Sequence, residues 1–332
     1  MRVLSPKDEL KNFQSGLFLA GPATRTTSPI GWREEFIKVL ECQGFTGTVL
    51  NPENPEYGTM GKEVYSIQTE WEQKGIKLSS YLVFWIPRSE QHLGLTTNIE
   101  LGEWLEHPRT FIGWPPGSIK NEYIAERCRK IGKKIYSTME EMVADIQIEQ
   151  NKPPQIFCTS DTHFGAERTL HLSARPFRSV EEMDLKMISN WNKKVREKDV
   201  VFHLGDFGDW EIFPVLNCQK MYLVLGNYER KEGGIPNCHL IQILPNGKKV
   251  KLGEFEYRLV HEPLHGSEFS GSKDDFYLYG HIHRLQTIKR NGVNVGTDAH
   301  RWEPVSLKEI EFLRGGIEKH FDENVFCERV EA

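Results

Sequence analysis

The sequence predicts an α/β protein of two domains: a doubly wound parallel sheet, followed by two packed sheets with helices outside. Three observations carry this reading. A chain of 332 residues divides most naturally into two domains. Its first half alternates short apolar runs with runs of helical spacing, the pattern of a parallel sheet covered on both faces. Its second half sets a polar or histidine-bearing motif at the end of each of five strand-like runs.

In the first half, Leu17–Ala20 is a short apolar strand ending in Gly21-Pro22. Trp32, Phe36, Val39 and Leu40 then fall on one face of a helix from Trp32 to Cys42. Thr46–Leu50 reads as a strand ending at Asn51-Pro52, Val64 to Leu78 as a helix, and Tyr81–Ile86 as a continuous apolar strand stopped by Pro87. Asn98 to Leu105 is a helix that places Glu100 in its first turn, where the helix dipole favours the ionised form. Strand Thr110–Trp114, helix Asn121–Ile131, strand Lys134–Tyr136 and helix Met139–Ile148 complete the domain. The polar run Gln147 to Pro154 ends in a proline pair and reads as the linker between domains 1–150 and 151–332.

The strand-like runs of the second half are Gln155–Ser160, Val200–Leu204, Tyr222–Leu225, Tyr257–Val260 and Phe276–Tyr279. Between the first two, Val180 to Val195 is an amphipathic helix with Met183, Met187, Ile188, Trp191 and Val195 as its core stripe. Asn246-Gly247 is the pair preferred in hairpin turns. Strand Asn291–Gly296 and helix Leu307–Leu313 close the chain's ordered pattern.

Composition narrows function. Hydrophobic content of 38% and 27% charged residues suit a globular protein. A net charge of −5 argues against non-specific nucleic-acid binding, which needs a basic face, and leaves small phosphorylated substrates open. Cys42, Cys128, Cys158, Cys218, Cys238 and Cys327 form no closely spaced pair and read as reduced thiols of a cytoplasmic protein. Met1 to Ser15 is too polar for a signal peptide, and no apolar run approaches a membrane span.

The motifs after the second-half strands are Asp161-Thr162-His163, Gly205-Asp206, Gly226-Asn227, His261 and Gly280-His281-Ile282-His283. Hard oxygen donors mixed with imidazoles suit Mn, Fe, Zn or Mg. Seven such ligands exceed one tetrahedral ion and match two divalent ions sharing a carboxylate, the apparatus of phosphate-ester hydrolysis. In this order, over Pro154 to Ile310, the set resembles the calcineurin-like metallophosphoesterases. The resemblance implies a four-layer α/β/β/α sandwich. One ion would be held by Asp161, His163, Asp206 and His283, and the other by Asp206, Asn227, His261 and His281, with Asp206 bridging. Many family members carry a histidine after the asparagine; Tyr228 stands here, a poorer proton donor at neutral pH. Arg230, His203 and His265 are further candidates for phosphate or leaving-group contact.

In an open α/β sheet, ligands bind at the carboxyl ends of the strands. There or just beyond, the first half carries Gly21-Pro22-Ala23-Thr24-Arg25, Asn51-Pro52-Glu53 and the run Leu93 to Gly102, and the chain also holds Phe18-Leu19-Ala20-Gly21-Pro22, Trp32-Arg33, Trp71-Glu72, Phe84-Trp85-Ile86-Pro87 and Thr97-Asn98-Ile99-Glu100-Leu101-Gly102. This ordered set, over roughly Leu17 to Ile146, resembles the nucleoside 2-deoxyribosyltransferases. The resemblance implies a flavodoxin-like sheet, Glu100 as the nucleophile at C1′, and Glu72 as the acid that handles the leaving base. It also implies Gly21, Pro22, Arg25 and Asn98 in substrate binding, and a homo-oligomer through this domain. Ser79-Ser80 stands where the family often has an aspartate.

Three functions stay open. The first is a bifunctional enzyme of nucleotide metabolism, acting on a small nucleotide or nucleoside. The second is a phosphoesterase whose first domain only binds a nucleotide-like ligand. The third is a metal-dependent nuclease, against which the acidic balance weighs.

Overall fold

Strands buried on both faces dominate the first sheet, because helices cover it on either side. The computed structural model describes residues 1–11, 16–23, 31–54, 61–90, 92–263 and 275–320. The chain forms two compact units, Met1–Pro153 and Pro154–Ala332.

The first unit contains strands β1 (Arg2–Leu4), β2 (Gly16–Ala20), β3 (Thr48–Leu50), β4 (Tyr81–Trp85), β5 (Thr110–Gly113) and β6 (Ile135–Tyr136). They form one all-parallel sheet in the order β1-β3-β2-β4-β5-β6. Without β1 this is the flavodoxin-type order, whose switch point lies between β2 and β4. The polar segment Met1 to Ser15 therefore holds an edge strand that the sequence pattern did not show. Only Leu4 of β1 is buried, so three residues carry no periodicity to read.

Along β2 the side chains alternate. Leu17 and Leu19 join Phe36 and Leu40 of helix α1 (Trp32–Cys42), whereas the ring of Phe18 tilts toward Trp71 of α2 (Lys62–Leu78) at 6.4 Å. Helix α3 (Leu95–Trp104) begins after Gly94, at φ 57°. Glu100 is consequently its sixth residue and no acidic residue occupies the first turn. The expected dipole stabilisation of Glu100 is thus replaced by a different electrostatic setting, described below. Helices α4 (Glu122–Lys130) and α5 (Met139–Gln150) follow, with Thr138 capping α5 through Glu141 N at 3.3 Å. Ile146 and Gln150 are buried, so the start of the polar linker run is the end of a packed helix.

The second unit contains β7 (Ile156–Thr159), β8 (Val200–His203), β9 (Lys220–Val224), β10 (Ile241–Leu244), β11 (Lys248–Leu252), β12 (Phe255–Leu259), β13 (Tyr277–Tyr279), β14 (Ile288–Lys289), β15 (Gly292–Asn294) and β16 (Val305–Ser306). Its helices are α6 (Glu167–Leu172), α7 (Val180–Lys194), α8 (Asn227–Glu232) and α9 (Leu307–His320). One sheet runs β10-β9-β8-β7-β16 and the other β11-β12-β13-β15-β14. Cys158, Phe202 and Val224 of the first sheet pack with Tyr257, Leu259, Leu278 and Val293 of the second, closed by Ile310 and Ile317 of α9.

Asn246-Gly247 does turn the chain, with Lys248 N donating to Pro245 O at 3.1 Å. It is not a hairpin, because β10 pairs with β9 and β11 pairs with β12 in the other sheet. The hairpin lies at Gly253, at φ 59°, between β11 and β12. The stripe of α7 is buried throughout, and the indole of Trp191 donates to Asn217 O at 2.9 Å. Trp191→Ala is expected to destabilise the second unit by about 3–5 kcal/mol, read from its urea transition, because it leaves a cavity and an unpaired carbonyl.

Candidate functional site

In the second unit the motif residues lie beyond aligned strand ends. Thr159 of β7 pairs with His203 of β8, which pairs with Leu223 of β9, so the three following loops leave the sheet at one level. Five of the motif residues have left-handed backbones: Asp161 at φ 57°, His163 at 49°, Asp206 at 57°, His281 at 71° and His283 at 51°. Non-glycine residues adopt this region rarely, at a cost of order 1–3 kcal/mol each, and such residues cluster at functional sites.

The glycines before the motif residues have a steric cause. A Cβ on Gly205 would sit 2.5 Å from Gly226 N and 2.7 Å from His261 Nδ1. On Gly226 it would run into Asp206 Oδ1, and on Gly280 into Ser160 Oγ and Asp161 Oδ2.

Two groups result, Asp161 with His163 and His283, and Asp206 with His261 and His281, each with ligand atoms within 4.8 Å of one another. Asp206 Oδ2 lies 3.6 Å from His163 Nε2 and 3.5 Å from His261 Nε2, facing both groups. His261 Nδ1 is 2.6 Å from Leu204 O, which fixes the proton on Nδ1 and leaves Nε2 a lone pair. Asp161 Oδ1, both nitrogens of His163 and His261 Nε2 are buried without a hydrogen-bond partner. Buried polar atoms are nearly always satisfied, so an orphaned carboxylate oxygen and the lone pair that each of two neutral imidazoles offers at one place fit cations.

Burial pushes the His163 imidazole down to about 3, so it stays neutral. Burial alone would raise Asp206, but His261, the Tyr228 N–H and His163 hold its carboxyl well below the usual range. Burial raises Asp161.

Around the motif residues stand groups that the sequence did not single out. Glu229 accepts from Asp206 N (2.9 Å), Phe207 N (2.7 Å) and Gly226 N (2.8 Å), tying two motif loops together. Asp298 Oδ2 is 2.7 Å from His283 Nδ1, and Arg175 grips both oxygens of Asp298. Asp298 follows β15, and so obeys the same strand-end rule as the other motifs; Arg175 left no trace in the pattern.

Tyr228 packs edge-on against His163, with ring centroids 4.6 Å apart, and its N–H donates to Asp206 Oδ1 at 2.9 Å. Asn227 Nδ2 lies 3.2 Å from His281 Nδ1, and Asn227 Oδ1 accepts from Arg230 at 2.6 Å. Arg230 also pairs with Glu262 at 2.6 Å. His203 is buried between Thr162 Oγ1 and the Gly205 N–H, which makes it a loop support and not a phosphate contact. His265 lies outside the described residues.

The first unit has a cavity of about 470 Å³ at its switch point, lined by Gly21, Pro22, Arg33, Glu72, His92 and Glu100 among others. Arg33 is buried and committed to Glu53 (2.5 Å), Leu19 O, Pro22 O and Gly21 O. Gln68 donates to Glu72 Oε1 at 2.7 Å. Burial, then the charge of Glu72, pushes Glu100 from 4.5 up to about 7, with Arg33 opposing; burial also raises Glu72. Asn98 does not line this cavity: it is exposed and its amide oxygen accepts from Arg88. Arg25 lies outside the described residues.

Residues 155–302 match the calcineurin-like phosphoesterase superfamily domain, and residues 14–118 match the nucleoside 2-deoxyribosyltransferase-like family. An uncharacterised protein of Methanocaldococcus jannaschii is 29% identical over 174 residues, covering 47% of this chain and 89% of that one. Among solved structures, a protein of unknown function from Aquifex aeolicus is similar at 19% identity and TM-score 0.40, over 48% of this chain and 99% of that one. A Pseudomonas putida nuclease is similar at 20% identity and TM-score 0.27, over 46% of this chain and 70% of that one.

Two outcomes follow from this geometry. Gly226→Ala and Gly280→Ala are each expected to weaken Mn²⁺ binding roughly 10–100-fold, the scale for disturbing a ligand's support, in equilibrium dialysis. Glu100→Gln is expected to raise the melting temperature at pH 8 and leave it unchanged at pH 4. The Glu100 carboxyl is largely protonated in both states below about 4.5; between about 4.5 and about 7 only the unfolded chain gives up the proton, so stability falls across that window and the full cost is present above it.

Proposed function

We propose that this chain, which joins a calcineurin-like phosphoesterase domain to a nucleoside 2-deoxyribosyltransferase-like domain, is a bifunctional enzyme of nucleotide metabolism. The second domain is a hydrolase acting on phosphate esters. The first would cleave or transfer the N-glycosidic bond of a deoxynucleoside or deoxynucleotide. The observation that carries the reading is that each unit gathers ionisable side chains, buried at a cost in desolvation, at one place: on loops beyond strand ends in the second unit, and on helices α2 and α3 lining the switch-point cavity in the first.

In the phosphoesterase domain, Asp161, His163, Asp206 and His283 would hold one divalent ion, and Asp206, Asn227, His261 and His281 a second, with Mn, Fe, Zn or Mg all fitting the donor set. When bound, such ions supply positive charge to the phosphoryl oxygens and acidify water. The chain's own residues do the rest. His261 is held in one tautomer by Leu204 O, and Glu229 fixes the loops of Asp206 and Asn227. Tyr228, beside His163, is placed to donate a hydrogen bond to the leaving oxygen. Arg230 is the guanidinium available to a phosphate oxygen once it leaves Glu262.

In the first domain, ionised Glu100 would attack C1′, breaking the C1′–N bond and forming a glycosyl ester. Glu72, whose buried carboxyl holds its proton above the usual range, would give that proton to the departing base. Water or a second base would then release the sugar and restore Glu100. Leu95 and Ile99 of α3 are 71% and 76% exposed, which supports a homo-oligomer through this domain. The described cysteines are free thiols, which supports a cytoplasmic setting. No described helix is long and apolar enough to cross a membrane.

The test is phosphate release and free-base release side by side, with Mn²⁺ and a panel of deoxynucleotides, cyclic nucleotides and an aryl phosphodiester. Asp206→Asn and His281→Ala are expected to lose metal and to lower phosphate release by more than the roughly 10–100-fold cost of an outer partner. Glu100→Ala is expected to abolish base release alone. In the wild type, base release should rise with pH through about 7, because only the ionised carboxyl attacks. Phosphate release without any base release would reduce the first domain to a binding module. Polynucleotide cleavage faster than mononucleotide turnover would make the protein a nuclease.

A further inference from the structure

Resting on the two-ion reading above, we infer that Asp298 and Arg175 are positioning residues that assemble the group of Asp161, His163 and His283 and set chiefly the metal affinity of that group.

Asp298 stands in the short 3-10 turn Thr297–Ala299 after β15. Its Oδ2 lies 2.7 Å from His283 Nδ1. Both of its oxygens also accept from the Arg175 guanidinium, so the carboxylate is an acceptor toward His283. The proton of His283 is therefore on Nδ1, and Nε2 keeps its lone pair for a cation.

Arg175 meets Asp298 in a two-pronged contact, Nε to Oδ1 at 2.9 Å and Nη2 to Oδ2 at 2.8 Å. The same guanidinium donates to Asp161 O at 2.7 Å and to Thr162 O at 2.8 Å. It thus holds the backbone that presents Asp161 and His163, while its partner carboxylate orients His283. Both side chains are buried, at 0% and 5% exposure.

A buried ion pair is weak evidence for stability, since apolar side chains of similar volume often do as well. Its geometry here serves orientation: one pair reaches all three members of one group. The group of Asp206, His261 and His281 has separate supports in Leu204 O and Glu229. The two groups meet where Asp161 Oδ2 accepts from His281 N at 2.8 Å, so loss of Asp298 should weaken the first group far more than the second.

The experiment is Mn²⁺ titration of the full chain, read by bound metal and by electron paramagnetic resonance, for the wild type, Asp298→Ala and Asp298→Asn. The wild type is expected to bind two ions with a spin-coupled signal. Asp298→Ala is expected to bind one ion at wild-type affinity and the second roughly 10–100-fold more weakly, with an uncoupled signal at the same Mn²⁺ concentration. Asp298→Asn keeps an acceptor oxygen of the same size, and should recover part of the loss and serve as the test if the alanine variant does not fold. Two ions at unchanged affinity in both variants, or equal weakening of both sites, would overturn the positioning role while leaving the two-ion reading intact. A wild type that binds fewer than two ions would remove that reading and this inference together.

Discussion

The second domain is organised around the carboxylate of Asp206. Its Oδ2 faces His163 on one side and His261 on the other, near 3.5 Å from each. To bring loops from both sheets that close, the backbone must turn sharply at the strand ends. It does so at Asp161, His163, Asp206, His281 and His283, all with positive φ, and at glycines whose neighbours leave no room for a Cβ. Strain of order 1–3 kcal/mol at each of five residues is comparable to the net stability of a whole domain. It persists because Glu229 and Arg175 tie down the motif backbone with buried hydrogen bonds, while Asp298 holds the ring of His283.

The two units use burial in opposite electrostatic senses. In both, desolvation disfavours charge on a carboxyl. Asp206 has imidazoles and an N–H directed at it, and the partners prevail over burial, so it stays ionised. Glu100 has Glu72 as its neighbour and an arginine, Arg33, already committed to Glu53 and three carbonyls. Burial prevails there and the proton is held to about 7. A carboxylate kept charged suits cation binding, whereas a carboxyl poised near neutrality suits attack and proton transfer. The difference lies in what surrounds each side chain and not in the side chain itself.

Glu100 also shows how a local reading fails. From the sequence, the helix that carries Glu100 reads as starting at Asn98. The helix begins at Leu95 instead, because Gly94 takes the left-handed conformation and packs against Pro22. Moving the start by three residues takes Glu100 out of the first turn and Asn98 out to an exposed position beside Arg88. The same kind of error made Asn246-Gly247 a hairpin: the pair does turn the chain, but which strands it joins depends on two sheets that the turn cannot see.

The sequence by itself determined the alternation of strands and helices, the core stripe of α7, and the motif residues at strand ends. These follow from periodicities of two and 3.6 residues and from the chemistry of metal donors, both written in adjacent positions. Tertiary structure alone decided that Glu100 and Glu72 share a cavity, and it set Asp206, whose bridging place the family resemblance implied, 3.6 and 3.5 Å from a histidine of each group. It alone enlisted Arg175, Asp298 and Glu229 in support of the loops. Arg175 and Asp298 lie 123 residues apart, and their contact exists only because two sheets pack with their strand ends at one level. Burial and partner identity, which set the charge of every group in both sites, are properties of that packing and have no expression in local sequence.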